Sequence, residues 1–412
     1  MPQRRDASSR REVREVQEPR PSSSVLLLSP TNEILLLHRV QTSRSFASAH
    51  VFPGGNLDAF HDGEIPGAGS PARHRDGPAY RMGAIRETFE ETGILLATRN
   101  GALVDLSVEQ RTEARKQVHG NEVRFGDFLQ SIGAVADTAG LTPFTRWITP
   151  ASMAKRFTTQ MYLYQLPVSP SREGPPSEML VPTADGGVEH TAAQFAPVQA
   201  FLQRAAEGGI VLFPPQAYLM ALLGRFLAGP PAAAADPEAA DPEAAALHYA
   251  GQRSRLAAFL GQVVTADTER GRRHRTAGIA WADKAICPYH VLLREEDGRV
   301  VLGLDKPGPE LEGTDRGGGR HRTAGIAWAD KAICPYHVLL REEDGRVVLG
   351  LDKPGPELEG TDRGGDWERV ALVKFGAGGP SDVEIRMRED VVGAAAAAAA
   401  AAGAPAKTGS RV

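Results

Sequence analysis

The chain has 412 residues, of which 24% are charged and 42% hydrophobic, with a formal net charge of −4 and a pI near 6.3. This is the composition of a soluble globular chain long enough for two ordinary domains. It offers no global basic field for nucleic acid, so any anion has to be held at a local site. Two cysteines, Cys287 and Cys334, exclude a disulfide scaffold and point to a reducing intracellular compartment, with cytoplasm, peroxisome and mitochondrion left open.

The first twenty residues carry many arginines but also Asp6, Glu12, Glu15 and Glu18, so residues 1–20 read as a disordered tail, with a targeting segment as the alternative. Two apolar runs, Ser24–Ser29 and Glu33–Arg39, flank Pro30-Thr31-Asn32 and predict a β-hairpin. Such runs are strand-sized, far short of a membrane span. Ala49–Phe52 predicts a third extended piece, which leads into Pro53-Gly54-Gly55. From Asp58 to Gly77 the Gly, Pro, His and Asp content predicts a long loop. Ala79–Thr92 has helical spacing, with Met82, Ile85 and Phe89 on one side and Gly93 at the C-cap position, and Ile94–Ala97 predicts a strand.

Further along, helices are expected over Val108–Val118, Phe125–Ile132, Phe195–Ala206 and Pro214–Leu227, and strands over Arg146–Ile148 and Gln160–Leu166. Strands alternating with helices indicate an α/β arrangement. Residues 229–247, rich in Asp-Pro-Glu-Ala-Ala, read as a low-complexity linker between a domain at 21–228 and a C-terminal extension at 248–390. Residues 391–412 read as an Ala-rich disordered tail ending in Ser410-Arg411-Val412, which is not the Ser-Lys-Leu type of peroxisomal ending.

Inside the extension, residues 273–318 recur without change as 320–365, offset by 47. Solenoid repeats diverge because terminal copies need different surfaces. An undiverged pair instead indicates a recent duplication, or an error in the assembly or translation of the gene sequence. Each copy carries a hairpin signal, at Asp297-Gly298 and Asp344-Gly345. Only the second copy continues into further strand-like runs, so it is read as the native one and the first as surplus. Cys287-Pro-Tyr-His290 and Cys334-Pro-Tyr-His337 together imitate a zinc pattern, but only through the duplication.

The chemistry is concentrated at 83–94. On a helix, Glu87, Glu90 and Glu91 share one face at spacings i, i+3 and i+4, where each like-charge pair costs about 0.2–0.5 kcal/mol. A solvated acidic face is one reading; a cation among the three acids is the other, with Mg²⁺ suited to such oxygen ligands. Arg86 is placed to fix one carboxylate by a bidentate contact. The glycine pair Gly54-Gly55 upstream, which lets backbone approach a metal or phosphate, favours the cation.

Gly55 followed by Arg86-Glu87-Thr88-Phe89-Glu90-Glu91-Thr92-Gly93-Ile94 resembles the Nudix box, whose second half reads Arg-Glu-aliphatic-any-Glu-Glu-any-Gly-aliphatic. The front half departs from the family: position 78, eight before Arg86, is proline where a glutamate is usual, and Glu64 is the nearest candidate for the displaced acid. The enlarged box at Ala79–Leu96 resembles the branch that includes peroxisomal coenzyme A diphosphatases, and the resemblance covers roughly residues 21–228.

It implies a Nudix fold, a mixed β-sheet sandwiched between α-helices, here with an extra C-terminal β-hairpin region. It also implies Mg²⁺ or Mn²⁺ held by Glu87, Glu90 and Glu91, with Arg86 beside them and Gly54 and Gly55 lining the site. Arg39 and Arg44 are candidate phosphate contacts, with a solvated surface arginine as the alternative for each. The implied activity is hydrolysis of a diphosphate bond in a small nucleotide-derived substrate, coenzyme A or acyl-CoA. The alternatives are another nucleoside diphosphate derivative (ADP-ribose, a dinucleotide or a cap) or a Nudix-fold binding protein without turnover.

Overall fold

A computed structural model describes residues 17–39, 49–151, 153–168, 190–229, 241–293, 338–341, 346–358, 360–376 and 379–393. The chain begins with β1 (Arg20–Leu28), β2 (Ile34–Arg39), β3 (His50–Val51) and β4 (Gly54–Asn56), then helices α1 (Ala59–Asp62) and α2 (Pro78–Thr92). β5 (Ala97–Arg99), β6 (Ala102–Leu103), α3 (Val108–His119), α4 (Phe125–Ser131) and β7 (Val135–Ala136) follow. Next come β8 (Thr142–Ile148), β9 (Phe157–Gln165), β10 (His190–Ala196), α5 (Val198–Ala206) and α6 (Pro214–Leu223). The remainder holds α7 (Pro242–Leu260), α8 (Glu269–Arg272), β11 (Ala285–Ile286) and β12 (Tyr289–Leu293), then β13 (Val338–Arg341), β14 (Arg346–Leu351), β15 (Asp366–Gly376) and β16 (Gly379–Met387).

The main sheet is mixed, in the order β10-β2-β1-β9-β8-β11, with β3 on β2 and β4 on β1. β1 lies at its centre, parallel to β9 from Arg20↔Phe157 to Leu28↔Gln165. Its run of four apolar residues, Val25 to Leu28, is fully buried, as expected of a strand covered on both faces. Leu26, Leu28 and Leu36 pack under Phe201, Tyr218, Leu222 and Phe259 of α5, α6 and α7. Val25, Leu27 and Leu35 pack on the other face against Tyr80, Ile85 and Phe89 of α2. The architecture is therefore a mixed α/β sandwich, joined by a second, five-stranded sheet in the order β12-β13-β14-β15-β16. Among the described residues no helix is long and apolar enough to cross a membrane.

Several local readings change. Ile94–Leu96 form no ladder; they are buried as irregular chain after Gly93 closes α2 in the left-handed region (φ 75°), and the strand begins at Ala97. Phe195 and Ala196 end β10 rather than start a helix, because Pro197 disfavours helical backbone in the residue before it. The stretch expected as a bare loop contains α1 and a 3₁₀ turn at Pro71–His74. α7 begins at Pro242, inside the low-complexity stretch, with Asp241 accepting from the Glu243 amide as its N-cap.

The reading of the first repeat copy as wholly surplus does not hold. Its residues Ala285 and Ile286 pair with Arg146 and Trp147 on the main sheet, and Trp281 and Lys284 are buried behind them. The second copy supplies β13 and β14, and β14 pairs with strand pieces from both copies. The hairpin tips at Asp297-Gly298 and Asp344-Gly345 lie outside the described residues.

One composite unit is thus built from parts of two copies, and one copy's length of chain, 47 residues, is expected to be dispensable. Deleting residues 273–319 yields the same chain as deleting 294–340, since the copies are identical. The shortened protein should unfold cooperatively at an unchanged midpoint, as read by circular dichroism; loss of the cooperative transition would show that both whole copies are structural.

Candidate functional site

α2 is fixed to the sheet by Tyr80, Ala84, Ile85 and Phe89, all fully buried, and this leaves the acidic face turned along β4. Pro78 at its first turn supplies a helical φ where no donor is needed. Gly83 gives α1 room, because a Cβ there would lie 2.5 Å from the Leu57 side chain and 2.9 Å from an Asp62 carboxylate oxygen.

Arg86 is the centre of the cluster and is only 4% exposed. Its Nε and Nη2 donate to the two oxygens of Asp62, each at 2.9 Å, a bidentate pair. Nη1 donates to Glu87 Oε1 at 3.0 Å and to Glu90 Oε1 at 2.9 Å, and Nη2 also reaches the Asn56 carbonyl at 3.0 Å. Burial works against the guanidinium's charge, but Asp62, Glu87 and Glu90 together hold its pKa above the ordinary value. Burial pushes the Glu87 carboxyl up to about 7; Arg86 opposes that shift, while Glu90 and Asp62 add to it.

The other two acids are also positioned. Glu91 Oε2 accepts from the Gly54 amide at 2.7 Å. Glu90 Oε2 lies 3.2 Å from His119 Nδ1, and Arg115 holds the Glu90 carbonyl through Nε at 2.9 Å and Nη2 at 2.6 Å. Gly54 adopts φ 151°, and a Cβ there would lie 2.3 Å from the Ser23 carbonyl. At Gly55 a Cβ would fall 2.5 Å from the Glu87 carboxylate. Both glycines are required by close approach: one to β1, the other to an acid of α2.

Glu87, Glu90, Glu91, Arg86, Gly54 and Gly55 therefore converge as the spacing suggested. Arg39 ends β2, beside the stacked rings of His38 and His50 (centroids 4.6 Å apart), while Arg44 lies outside the described residues. Burial, with the charges of His38 and Arg204, holds His50 down at about 4. Glu64, the candidate for the displaced acid, is exposed.

The acid that pairs with Arg86 is Asp62, which sequence reasoning passed over. Asp62 is fully buried at its side chain and accepts from the Asp58 amide at 2.8 Å, while Asp58 caps α1 through the Phe60 amide at 2.8 Å. The signal available was Asp58 as an N-cap within a stretch whose composition otherwise says loop. Arg115 and His119 on α3 were passed over as well.

Among the described residues no three acidic, histidine or cysteine side chains meet as a ready-made cation cage. The donors are nonetheless the hard carboxylate oxygens that Mg²⁺ and Mn²⁺ prefer. The absence of a side chain at Gly55 lets the Glu87 carboxylate pack against β4, since a Cβ there would lie 2.5 Å from it. The residue set fits a hard divalent cation.

Residues 71–223 match the family model for the NUDT19 Nudix domain. The chain is 26% identical over 204 residues to the putative nudix hydrolase 7 of Caenorhabditis elegans, covering 50% of this chain and 60% of that protein. It is 28% identical over 242 residues to the acyl-coenzyme A diphosphatase NUDT19 of Gallus gallus, covering 47% of this chain and 61% of that one. The chain spans about 60% of the length of the curated relatives it matches. A NUDIX hydrolase from Alicyclobacillus acidocaldarius superposes with a TM-score of 0.40 at 21% identity, over 50% of this chain and 92% of that one.

The two acids after the glycines make opposite predictions. Asp62→Ala leaves Arg86 buried without its bidentate partner and should lower unfolding free energy by about 3 kcal/mol. Glu64→Ala, at an exposed position, should change it by less than about 0.5 kcal/mol. Denaturant titration of both variants decides, and equal effects would remove Asp62 from its role.

Proposed function

We propose that this chain, which resembles the Nudix hydrolases on their coenzyme A diphosphatase branch, hydrolyses the diphosphate bond of coenzyme A or an acyl-CoA. The products are 3′-phosphorylated AMP and 4′-phosphopantetheine or its acylated form. The observation that carries the reading is the Arg86 hub, which holds two acids of one helix face in fixed orientation while Gly54 holds the third. A helix face that merely met solvent would not need its acids fixed by a buried guanidinium and a backbone amide. The relatives named acyl-coenzyme A diphosphatase supply the substrate class.

Glu87, Glu90 and Glu91 would hold Mg²⁺ or Mn²⁺. Such an ion, when bound, neutralises diphosphate charge and lowers the pKa of a bound water. The chain's own contribution is orientation: Asp62 aims Arg86, Arg86 aims Glu87 and Glu90, and the glycine strand brings backbone against the same acids. Arg39 and Arg44 would meet the substrate's phosphates.

The direct test is incubation of the purified chain with Mg²⁺ and a panel of diphosphates, with products resolved by mass. Acyl-CoA should be cut at its diphosphate; exclusive cleavage of ADP-ribose, a dinucleotide or a capped nucleotide would move the substrate while keeping the chemistry. Turnover should vanish in excess chelator, return with Mg²⁺ or Mn²⁺ and not with Zn²⁺. Glu91→Gln keeps an oxygen for the Gly54 amide but removes a charge, so kcat should fall about a hundredfold or more with the unfolding midpoint nearly unchanged. A near-normal kcat at saturating Mg²⁺ would withdraw the ligand assignment. Gly55→Ala would push the Glu87 carboxylate from its place, and a comparable loss of about a hundredfold is expected.

A further inference from the structure

We propose that the niche filled by residues 273–293 accepts either copy of the repeat, so that the chain folds in two threadings of one architecture. The niche is specific. Ala285 and Ile286 add a parallel strand to β8, and the Arg146 amide donates to the Lys284 carbonyl at 2.7 Å. Trp281 is buried with its ring 4.9 Å from Phe259 and 6.1 Å from Phe144. Lys284 Nζ donates to the Thr276 carbonyl at 2.9 Å and to the Gly365 carbonyl at 3.1 Å.

Further partners of this segment come from the other copy. The Ala285 amide donates to the Gly364 carbonyl at 3.0 Å, and the Cys287 amide to the Lys353 carbonyl at 2.8 Å. One complete unit is therefore assembled from the front of the first copy and the back of the second. Residues 320–340 have the same sequence as 273–293, so every contact made by the first segment is open to the second.

Packing cannot choose between them; only the chain outside the niche can. In the described threading, residues 294–337 connect β12 to β13, and β14 takes partners from two separate pieces, Tyr289–Val291 and Leu340–Arg341. With 320–340 docked, residues 273–319 become the connection and the strand runs unbroken into β14. Connections of 44 and 47 residues cost the same to close within a small fraction of thermal energy. The second threading regains strand continuity but gives up the β12–β13 pairing at Leu292↔Val338 and Leu293↔Leu339, so the two offset each other and both are populated.

The two cysteines report on the niche, one in each copy at equivalent positions. Cys287 is buried in the described threading, and burial pushes its thiol up to about 12, so it is protected from alkylation. The test is a brief iodoacetamide pulse on the native full-length chain, then unfolding and a second, heavier label. Cleavage after glutamate releases Cys287 in residues 270–295 and Cys334 in residues 313–342, which differ in mass. Each cysteine is expected to divide into protected and reactive fractions, the two protected fractions summing to about one per chain at any protein concentration. Complete protection of one cysteine with complete reaction of the other would overturn the proposal in favour of a single threading. Both fully reactive or both fully protected would overturn it too, as would a summed protection that rises with protein concentration, the mark of exchange between molecules.

Discussion

The bidentate pair between Arg86 and Asp62 is the interaction on which the candidate site depends. Three acids on one helix face repel, and an unpaired guanidinium in the interior is costlier still. Buried together, each makes the other tolerable: Asp62 neutralises the inner edge of Arg86, leaving Nη1 to hold Glu87 and Glu90. Such a pair adds little net stability over apolar residues of the same size, but it fixes geometry. That distinction matters here, because the site needs carboxylates in set places more than it needs a tighter core.

The fold brings the remaining parts to this pair. β1 occupies the centre of the sheet, and β4 lies on it at Ser22↔Asn56 and Ser24↔Gly54. With no side chain at Gly54 or Gly55, β4 is thin enough to sit between β1 and the acidic face of α2. α1 then crosses α2 at Gly83, which sets Asp62 opposite Arg86. Apolar packing of Phe89 and Ile85 on one side of α2 thereby determines where charged groups meet on the other.

Much of this was legible in the sequence. The spacing of Glu87, Glu90 and Glu91, the apolar side of α2 and the glycine pair each follow from local rules, and each is found in place. Asp62 was not legible, because its partner is 24 residues away and composition hides a one-turn helix in a loop. The strand expected at Ile94–Leu96 failed for a related reason: three fully buried apolar residues satisfy a strand pattern, yet they fill the core without pairing. At 195–196 the rule that decides, proline restricting its predecessor, was present in the sequence and was outweighed by helical spacing. The composite use of the repeat could not be read at all, since identical copies carry no sequence difference to show which half docks where.

In the proposed mechanism Asp62 acts through Arg86 on Glu87 and Glu90, rather than independently of them. A double-mutant cycle on acyl-CoA turnover, with Asp62→Asn, Glu87→Gln and the pair, measures that coupling directly. If the chain of contacts is causal, the two losses will combine to less than their product, because one of the two acids that Asp62 positions through Arg86 has already been lost. Independent, multiplying losses in kcat would contradict it, leaving Asp62 as a support for the fold and the Arg86 hub without a part in the chemistry.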